Sequence, residues 1–368
     1  MTRILVTGGS GFIGKHLVSA LIARGRQVRV LDLQPPPSAL PQVQHVRGSV
    51  LDRDLVDRAM DEIDEVYHLA GLPGMWVPRK ADFHAVNFGG TEIVIETARK
   101  RGIKRFLHCS TESILFRASP TMIPIADDAF LPDDMPGPYT RSKMLADRFA
   151  MQATASGYPV IIGCPTMPVG PHDHNVTPPT AMLRYFLSRR LQLHLDFVVN
   201  LVDVRDAAEG LILAMERGRA GHRYVLGGES MPLRRVLELM AEISGRRVRC
   251  IHVNGKVAEM VTGALEFISD HVTHRPPSGT AEGVRIALRA GALSIEKAQR
   301  ELGYAPGPAS TYERDDGEHD EFFKDTAPMA FEDSRVPGAV APPRQSRPHA
   351  RPCTAPCRRS ETAYRSRA

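Results

Sequence analysis

The sequence predicts a doubly wound α/β fold, in which a parallel sheet is covered by helices on both faces and a smaller lobe follows toward the C-terminus. Three observations lead to this prediction. Short runs rich in β-branched residues alternate with stretches of helical periodicity. These runs are apolar on both faces, as in the buried strands of parallel sheets. The alternation then breaks after Cys164 at a proline-rich loop.

The predicted elements follow in a regular order. RILVT (3–7) is the first strand, and the segment from Phe12 to Arg24, which Gly25 stops, has helical spacing. Further strands are expected at 28–32, 43–47, 65–69, 104–109 and 159–164, with a weaker one at 222–228. Further helices are expected at 52–60, 87–102, 139–153 and 233–245. The predicted parts are therefore a core over 1–165, a substrate lobe interleaved with the last core strands over 166–325, and a tail over 326–368.

Composition excludes several classes of protein. The 368 residues are 42% hydrophobic and 24% charged, a balance that excludes a wholly disordered or fibrous chain. No apolar stretch reaches the roughly 18 residues that a membrane-spanning helix needs. The N-terminus has no signal-peptide pattern, and five cysteines in a chain of this length do not make a disulfide framework. We therefore expect a cytoplasmic protein without a transmembrane segment.

The positive charge is confined to the end of the chain. The net charge is +5, and residues 331–368 hold eight arginines against three acidic residues. Residues 1–330 are therefore formally neutral and offer no basic stripe for a phosphate backbone, so no nucleic-acid partner is expected for them. The Pro/Arg-rich tail has no periodicity and is predicted to be disordered. A tail that binds a membrane or nucleic acid as an appendage is the alternative.

A glycine-rich loop joins the first strand to the first helix. Gly8, Gly11 and Gly14 lie in TGGSGFIG (7–14), which also fits the G-x-G-x-x-G pattern. Such a loop needs positive φ for its tight turn and a missing Cβ where a pyrophosphate approaches the helix N-terminus. Because the motif follows a strand and opens a helix, it predicts a Rossmann dinucleotide-binding core.

An acidic residue ends the second predicted strand and indicates which dinucleotide is bound. Asp32 lies 18 residues after Gly14, where a carboxylate can accept hydrogen bonds from the hydroxyls of the adenosine ribose. A carboxylate repels the 2′-phosphate of NADP, and the next residue is Leu33 rather than an arginine. We therefore predict NAD over NADP.

Tyr139 and Lys143 lie four residues apart on a predicted helix, so their side chains share one face. A phenol with a pKa near 10 is a poor base at neutral pH, and lowering that pKa to about 7 requires about 4 kcal/mol in favour of the phenolate. A nearby ammonium group and the positive nicotinamide ring can supply this preference. The pair therefore predicts an acid–base device that acts beside a dinucleotide.

A hydroxyl group is expected near the phenol to hold the oxygen of the substrate. Ser110, Thr111 and Ser113 follow the strand at 104–109, and ligands bind at the carboxyl ends of strands in sheets of this kind. All three residues are candidates, since spacing alone does not separate them.

Together these motifs resemble the extended short-chain dehydrogenase/reductase superfamily, in its NAD-dependent epimerase/dehydratase branch. The resemblance covers about residues 1–310 and includes TGGSGFIG, Asp32, YHLAG (67–71) and the Tyr-x-x-x-Lys pair. It places the third catalytic position, beside Tyr139 and Lys143, on Thr111, with Ser113 as a substitute. It also implies that the cofactor contacts a set of residues spread along the core: Gly8, Gly11, Phe12, Ile13, Gly14, Asp32, Leu33, Ser49, Val50, Leu69, Ala70, Gly71, Asn87, Tyr139, Lys143, Pro165 and Thr166.

Within this branch, the segments after Cys164 are similar to hopanoid-associated sugar epimerases and to dihydroflavonol-4-reductase-like proteins. Two departures from these groups matter. Met167 stands where nucleotide-sugar epimerases commonly have an Asn that contacts the sugar nucleotide. Asp32-Leu33 stands where the reductase-like group often has an arginine suited to NADP.

The resemblance implies hydride transfer at a secondary alcohol or ketone carbon, possibly of a sugar or nucleotide-sugar. In this scheme Tyr139 moves the hydroxyl proton, Lys143 lowers the tyrosine pKa and binds the nicotinamide ribose, and Thr111 orients the substrate oxygen. One alternative is a dihydroflavonol-reductase-like or hydroxysteroid-dehydrogenase-like ketone reductase. A non-catalytic NAD-binding sensor or scaffold is a second, and a homodimer is the oligomer common among relatives.

Other notable residues are expected to have structural roles. His172, Asp173 and His174 lack the partner set of a metal site, and Cys353 and Cys357 lack a second pair of ligands, so no metal is predicted. Asp203 and Asp206 are expected to cap the following helix, with Asp206 at the N-cap. Met75 and Trp76 are expected either to line the mouth of the substrate site or to anchor their loop.

Overall fold

A seven-stranded parallel sheet forms the centre of the molecule, in a computed structural model that describes residues 2–35, 42–117, 131–189, 191–245 and 249–307. The sheet has the strand order β10-β6-β5-β4-β1-β2-β3, and every neighbouring pair is parallel. Its strands are β1 Arg3–Thr7, β2 Gln27–Asp32, β3 Gln44–Arg47, β4 Glu65–His68, β5 Arg105–Cys109, β6 Val160–Pro165 and β10 Arg223–Leu226. The chain reverses direction across the sheet between β1 and β4, which is the point where open α/β sheets bind ligands. The predicted doubly wound Rossmann fold is confirmed.

Eleven α-helices are found among the described residues, and most of them cover the two faces of this sheet. They are α1 Phe12–Ala23, α2 Arg53–Ala59, α3 Ala81–Phe83, α4 Gly90–Lys100, α5 Pro138–Ala155, α6 Pro178–Ser188, α7 Val204–Arg217, α8 Leu233–Ser244, α9 Gly255–Ile268, α10 Ala281–Arg289 and α11 Glu296–Leu302. Two π-helical segments, His84–Gly89 and Ser269–Thr273, continue α3 and α9, and a 3₁₀ turn forms at Glu112–Ile114.

The alternation of side chains along the strands builds two separate core layers. In β1, Ile4 and Val6 point into the layer formed with α1, α7 and α11, while Leu5 points into the layer formed with α2, α4 and α5. All three side chains are buried, and full burial of one such side chain stabilises the fold by about 1.5–3 kcal/mol. Strands that are apolar on both faces therefore give a sheet that must be covered twice.

The C-terminal part adds two small sheets beside the central one. One contains β7 Met167–Val169, β9 Val198–Asp203 and β11 Ser230–Pro232, and the other pairs β8 Leu191–His194 with β12 Arg249–His252. Helices α6 and α8 pack with the first of these in an apolar cluster of their own.

Two predictions about this part are corrected. The strand at 222–228, assigned to the smaller lobe, is β10, and it pairs with β6 at the edge of the central sheet. Asp203, and not Asp206, is the N-cap of α7: its carboxylate accepts a hydrogen bond from the Arg205 N–H at 2.7 Å. Because β9 runs as far as Asp203, the helix begins directly after it, and Asp206 lies in the first turn, where it accepts from the Gly307 N–H at 2.9 Å.

The described residues belong to one compact unit, Met1–Pro328. The expected tail over 326–368, with Cys353 and Cys357, lies outside the described residues, and the expected domain boundary near residue 165 stays a prediction. No helix in the described parts of the chain has the length and apolar character needed to span a bilayer.

Candidate active site

The carboxyl edge of the central sheet brings most of the predicted site residues together. The glycine loop follows β1, Asp32 ends β2, Ser49 and Val50 follow β3, Leu69 to Gly71 follow β4, Thr111 follows β5, and Pro165 and Thr166 follow from the end of β6. Tyr139 and Lys143 lie in the first two turns of α5. Since the strands are all parallel, these loops meet at one edge, as expected for a nucleotide-binding sheet.

The glycine loop is packed too closely to accept side chains. Gly8 has a φ of +73°, and a Cβ there would lie 2.6 Å from the Ala70 nitrogen. A Cβ on Gly14 would lie 2.2 Å from the Gly8 carbonyl oxygen. Helix α1 begins after Gly11 without a side-chain cap, which leaves its first N–H groups to an anion. The loop therefore fits a pyrophosphate, and Gly11, Phe12, Ile13 and Gly14 form the helix start that would hold it.

The Asp32 side chain is held in place by backbone N–H groups of the glycine loop and of the turn after β2. One carboxylate oxygen accepts from the Ser10 N–H at 3.0 Å, and the other accepts from the Gln34 N–H at 3.0 Å. The side chain of Leu33 is exposed. These two bonds fix the carboxylate beside the glycine loop, where it suits a ribose diol better than a phosphate.

Two further predicted cofactor positions follow β3. The Ser49 hydroxyl accepts from the Leu51 N–H at 3.2 Å, so it stabilises its own turn. Val50 is buried, and its side chain takes the space that a Cβ on Gly90 would need. Val50 therefore packs against Gly90, in addition to the contact with adenine that the resemblance implies.

Asn87 lies in the π-helical segment between α3 and α4 and connects two parts of the site. Its side-chain oxygen accepts from the Leu72 N–H at 2.7 Å, and its amide donates to the Ser142 hydroxyl at 3.0 Å. Ser142 in turn donates to the Tyr139 carbonyl at 2.7 Å. The Asn87 side chain therefore holds the loop after Gly71 against α5. Single π turns recur at functional sites, and here the extra residue aims this amide inward.

The three candidate hydroxyls after β5 have different partners. Ser110 donates to the Asp147 carboxylate at 3.1 Å. The same carboxylate forms a buried ion pair with Arg223, so the Ser110 hydroxyl belongs to this buried polar group. The Thr111 hydroxyl donates to the Glu112 carboxylate at 3.0 Å and lies 3.0 Å from the Ser113 hydroxyl, and the Thr111 side chain lowers the pKa of the Tyr139 phenol. Of the three hydroxyl residues, Thr111 is therefore the one whose side chain influences the phenol.

Burial affects the protonation of both the phenol and the amine. The Lys143 ammonium donates to the Cys109 carbonyl at 2.8 Å, and burial lowers the pKa of Lys143. Burial is also the largest influence on Tyr139 and raises the pKa of its phenol; the Glu112 charge raises it further, and hydrogen bonding by the Thr111 side chain lowers it. The expectation that Lys143 and the positive nicotinamide ring lower the pKa of Tyr139 stays a prediction for the enzyme with its cofactor bound.

Glu112 is a site residue that the sequence reasoning missed. Its carboxylate accepts from the Thr111 hydroxyl at 3.0 Å, and burial raises the pKa of Glu112 to about 7. A signal was present in the sequence, because an acidic residue between two hydroxyl residues at a buried strand end is unusual.

Glu282, on α10, was also missed. It accepts from the Tyr139 N–H at 3.1 Å, the Thr140 N–H at 2.8 Å and the Thr140 hydroxyl at 2.8 Å. A carboxylate at a helix N-terminus satisfies N–H groups that have no partner within the helix. A Cβ on Gly137 would lie 2.5 Å from this carboxylate, so only glycine admits it there. No local pattern links residues so far apart in sequence.

Thr166, which follows β6, also has a side chain that fits a bound cofactor. Its hydroxyl is buried and has no hydrogen-bond partner within the described residues. A buried hydroxyl without a partner is costly, and a polar group of a bound ligand would satisfy it. Thr166 follows Pro165, so this hydroxyl lies where the resemblance places the nicotinamide.

The remaining predicted features have structural roles. Trp76 donates from its indole nitrogen to Asp270 at 2.7 Å, and Met75 packs in an apolar cluster, so both anchor their loop. In the described parts of the chain, no three His, Cys, Asp or Glu side chains form a group that could hold a metal ion. The His172 ring stacks on His16, and the His174 ring lies tilted against His172.

Comparison with known proteins identifies the family. The model of the NAD dependent epimerase/dehydratase family matches residues 4–227. A protein of Synechocystis sp., provisionally named dihydroflavonol 4-reductase, is 29% identical over 81% of this chain and 88% of its own. A 4-hydroxy-2-methyl-3-oxo-4-farnesyl-3,4-dihydroquinoline-1-oxide ketoreductase of Stigmatella aurantiaca is 30% identical over 82% and 92%. The crystal structure of gox2253 superposes with a TM-score of 0.73, at 26% identity, over 89% and 99%. The chain thus belongs to the NAD-dependent epimerase/dehydratase family and is an enzyme of the extended short-chain dehydrogenase/reductase type.

Proposed function

We propose that this enzyme interconverts a ketone and a secondary alcohol on a largely apolar small molecule, with NAD as cofactor. One observation carries the proposal. The Tyr139 phenol is buried, its pKa is lowered by the Thr111 side chain, and it stands one helical turn from Lys143 at the sheet edge that also holds the glycine loop. This arrangement of phenol, hydroxyl and amine suits proton transfer at a carbinol oxygen.

Each residue has a distinct task in the proposed reaction. When bound, the nicotinamide would supply the hydride chemistry at the carbinol carbon. Thr111 orients the substrate oxygen toward Tyr139, which donates a proton to it during reduction and takes one during oxidation. The Lys143 ammonium, held at the Cys109 carbonyl, supplies a positive charge behind the phenol. Asn87 keeps the loop over the cofactor ribose in register with the helix that carries both residues.

An apolar substrate is supported by a methionine that stands where related enzymes commonly have a polar asparagine. Met167 occupies the position where nucleotide-sugar epimerases commonly present an Asn, and it packs against an apolar cluster that contains Val169 and Phe197. A thioether offers only a weak acceptor to a sugar. The Stigmatella relative is named for a farnesylated quinoline substrate, which agrees with an apolar wall. A hydroxysteroid-dehydrogenase-like reductase is one form of this proposal, and a sugar epimerase or dehydratase is the second candidate, supported by the family model.

NAD is supported by the Asp32 carboxylate, which the Ser10 and Gln34 N–H groups hold beside the glycine loop. The 2′-phosphate of NADP would meet the negative charge of Asp32, and position 33 holds a leucine rather than an arginine that could compensate for it. A sensor or scaffold without activity is disfavoured, because it would not require the buried phenol beside Thr111.

The test replaces the phenol alone. With a panel of apolar ketones and a matched set of nucleotide sugars, Tyr139→Phe is expected to lower kcat by about 10²- to 10⁴-fold and leave NAD affinity by calorimetry nearly unchanged. Tyr158→Phe is the matched control, since the Tyr158 hydroxyl is buried and has no partner among the described residues. Equal turnover in Tyr139→Phe, or turnover of nucleotide sugars alone, would contradict the proposal.

A further inference from the structure

Helix α9, with the π-helical turn that continues it, has its polar side against the protein and its apolar side exposed. Its carboxylates face inward: Glu259 pairs with Arg285 at 2.6 Å, and Glu266 pairs with Lys80 at 2.9 Å. Asp270 also pairs with Lys80, at 3.4 Å, and accepts from the Trp76 indole. This orientation is the reverse of an ordinary surface helix, whose charged side faces water.

The exposed side of the helix is a continuous apolar stripe. At the 100° step of an α-helix, its members fall on one side and the three carboxylates fall on the other. Met260 and Phe267 are 69% and 62% exposed. The full set is Val257, Met260, Val261, Ala264, Leu265, Phe267, Ile268 and Val272. No residue of α9 is buried, so this helix contributes its apolar side chains to no core.

Basic side chains are in excess next to the stripe. In α9 and the residues that follow it, the exposed ionisable side chains are Lys256, His271, His274 and Arg275. The carboxylates of Glu259, Glu266 and Asp270 pair with Arg285 and Lys80 of the neighbouring elements. On the adjacent β12, the exposed Arg249 and His252 add to this side, and His252 pairs with the exposed Asp196 at 3.3 Å. The helix therefore presents its apolar side chains beside an excess of basic ones.

We propose that this face of α9 docks on the surface of an anionic lipid bilayer. A helix of 14 residues is about 21 Å long and would lie in the plane of the interface, its apolar side chains among the acyl chains and the basic side chains beside them on the headgroups. A twofold pairing of two copies through the same face would bring like charges together, which disfavours a second copy as the occupant. The proposal does not depend on the reaction that the active site performs.

Vesicle flotation with the full-length chain tests this. The chain is expected to float with vesicles of phosphatidylcholine and phosphatidylglycerol, and less with phosphatidylcholine alone. The double substitution Met260→Ser and Phe267→Ser is expected to reduce the bound fraction at least tenfold with unchanged circular dichroism. Val176→Ser, at an exposed apolar side chain outside α9, is expected to bind as the wild type does.

Three results would overturn the proposal. No flotation of the wild type removes the bilayer as a partner. Flotation that survives the double substitution assigns the attachment to another part of the chain, such as the basic residues after 330. A wild-type dimer that becomes a monomer on double substitution, as measured by light scattering, shows that the face joins two copies.

Discussion

At the scale of single residues, Glu112 couples the charge of the site to the stability of the fold. Its carboxyl group is buried between Thr111 and Ser113, and burial raises the pKa of Glu112 to about 7. A group whose pKa is raised in the folded state stabilises that state fully below its unfolded pKa, about 4.5, and loses the contribution as pH rises through 7.

Glu112→Gln is therefore expected to stabilise the protein relative to the wild type by an amount that increases with pH. The increase between pH 5 and pH 8.5 is about 2.5 kcal/mol, since each pKa unit corresponds to about 1.4 kcal/mol and the unfolded carboxyl group is already mostly ionised at pH 5. Urea unfolding at both pH values measures it. Glu96→Gln, at an exposed side chain, is the control and is expected to change little at either pH. A pH-independent difference for Glu112→Gln would contradict the raised pKa.

Asp32 is the residue proposed to select NAD over NADP, also at the scale of a single residue. Asp32→Asn keeps an oxygen for the Ser10 N–H but removes the charge that repels a 2′-phosphate. We expect its preference for NAD over NADP to fall at least tenfold, as measured by calorimetric Kd values for both cofactors. An unchanged ratio would mean that another group discriminates between them.

At the scale of elements, α10 is the helix that fixes the start of α5. Glu282, Arg285 and Arg289 lie on one side of α10 at helical spacing. Glu282 accepts from the first N–H groups of α5, Arg285 donates to the Pro136 carbonyl at 2.9 Å, and Arg289 pairs with Asp134 at 3.2 Å. The helix that carries Tyr139 is thus positioned by a segment about 140 residues further along the chain.

Glu282→Ala is expected to destabilise the protein by about 2–4 kcal/mol, because it leaves the buried N–H groups of Tyr139 and Thr140 unsatisfied. The Glu282→Ala variant is also expected to have a lower kcat at saturating NAD. The Glu282→Gln variant keeps one acceptor oxygen and is expected to recover part of the stability and part of kcat. Glu259→Ala, which removes a half-exposed partner of Arg285, serves as the control, at about 1 kcal/mol or less. Equal effects of the two alanine variants would contradict a positioning role for Glu282.

At the scale of the whole molecule, the chain divides into a neutral body and a basic end. A chain that stops at residue 330 is expected to lose retention on heparin at moderate salt and to keep its thermal midpoint and NAD affinity. The cut falls next to the limit of the compact unit Met1–Pro328. Retention of the shortened chain on heparin would show that the body itself binds polyanions.

The sequence predicts the features that local patterns encode, and it does not predict contacts between residues that are far apart in the chain. The strands β1 to β6 follow from apolar runs, and the glycine loop, Asp32, Tyr139 and Lys143 follow from local motifs. Thr111 is selected among three neighbouring hydroxyl residues only by the resemblance. The pairing of β10 with β6 and the contacts of Glu282 depend on residues about 60 and 140 positions apart, for which no local pattern exists. Burial, which spacing does not reveal, raises the pKa of Tyr139, so the predicted lowering by Lys143 and the nicotinamide ring stays a prediction.

Trp76 has a practical consequence, since it is the only tryptophan in the sequence. Its indole is bound to Asp270 on the turn that continues α9, while Lys80 stacks near its ring. The protein therefore contains one tryptophan fluorophore, whose emission can be excited apart from that of the eight tyrosines. It is located where the loop after the nucleotide-binding edge meets that turn. Its emission maximum and quenching by iodide would follow any loosening of this joint without an added label, in real time and in the unaltered protein.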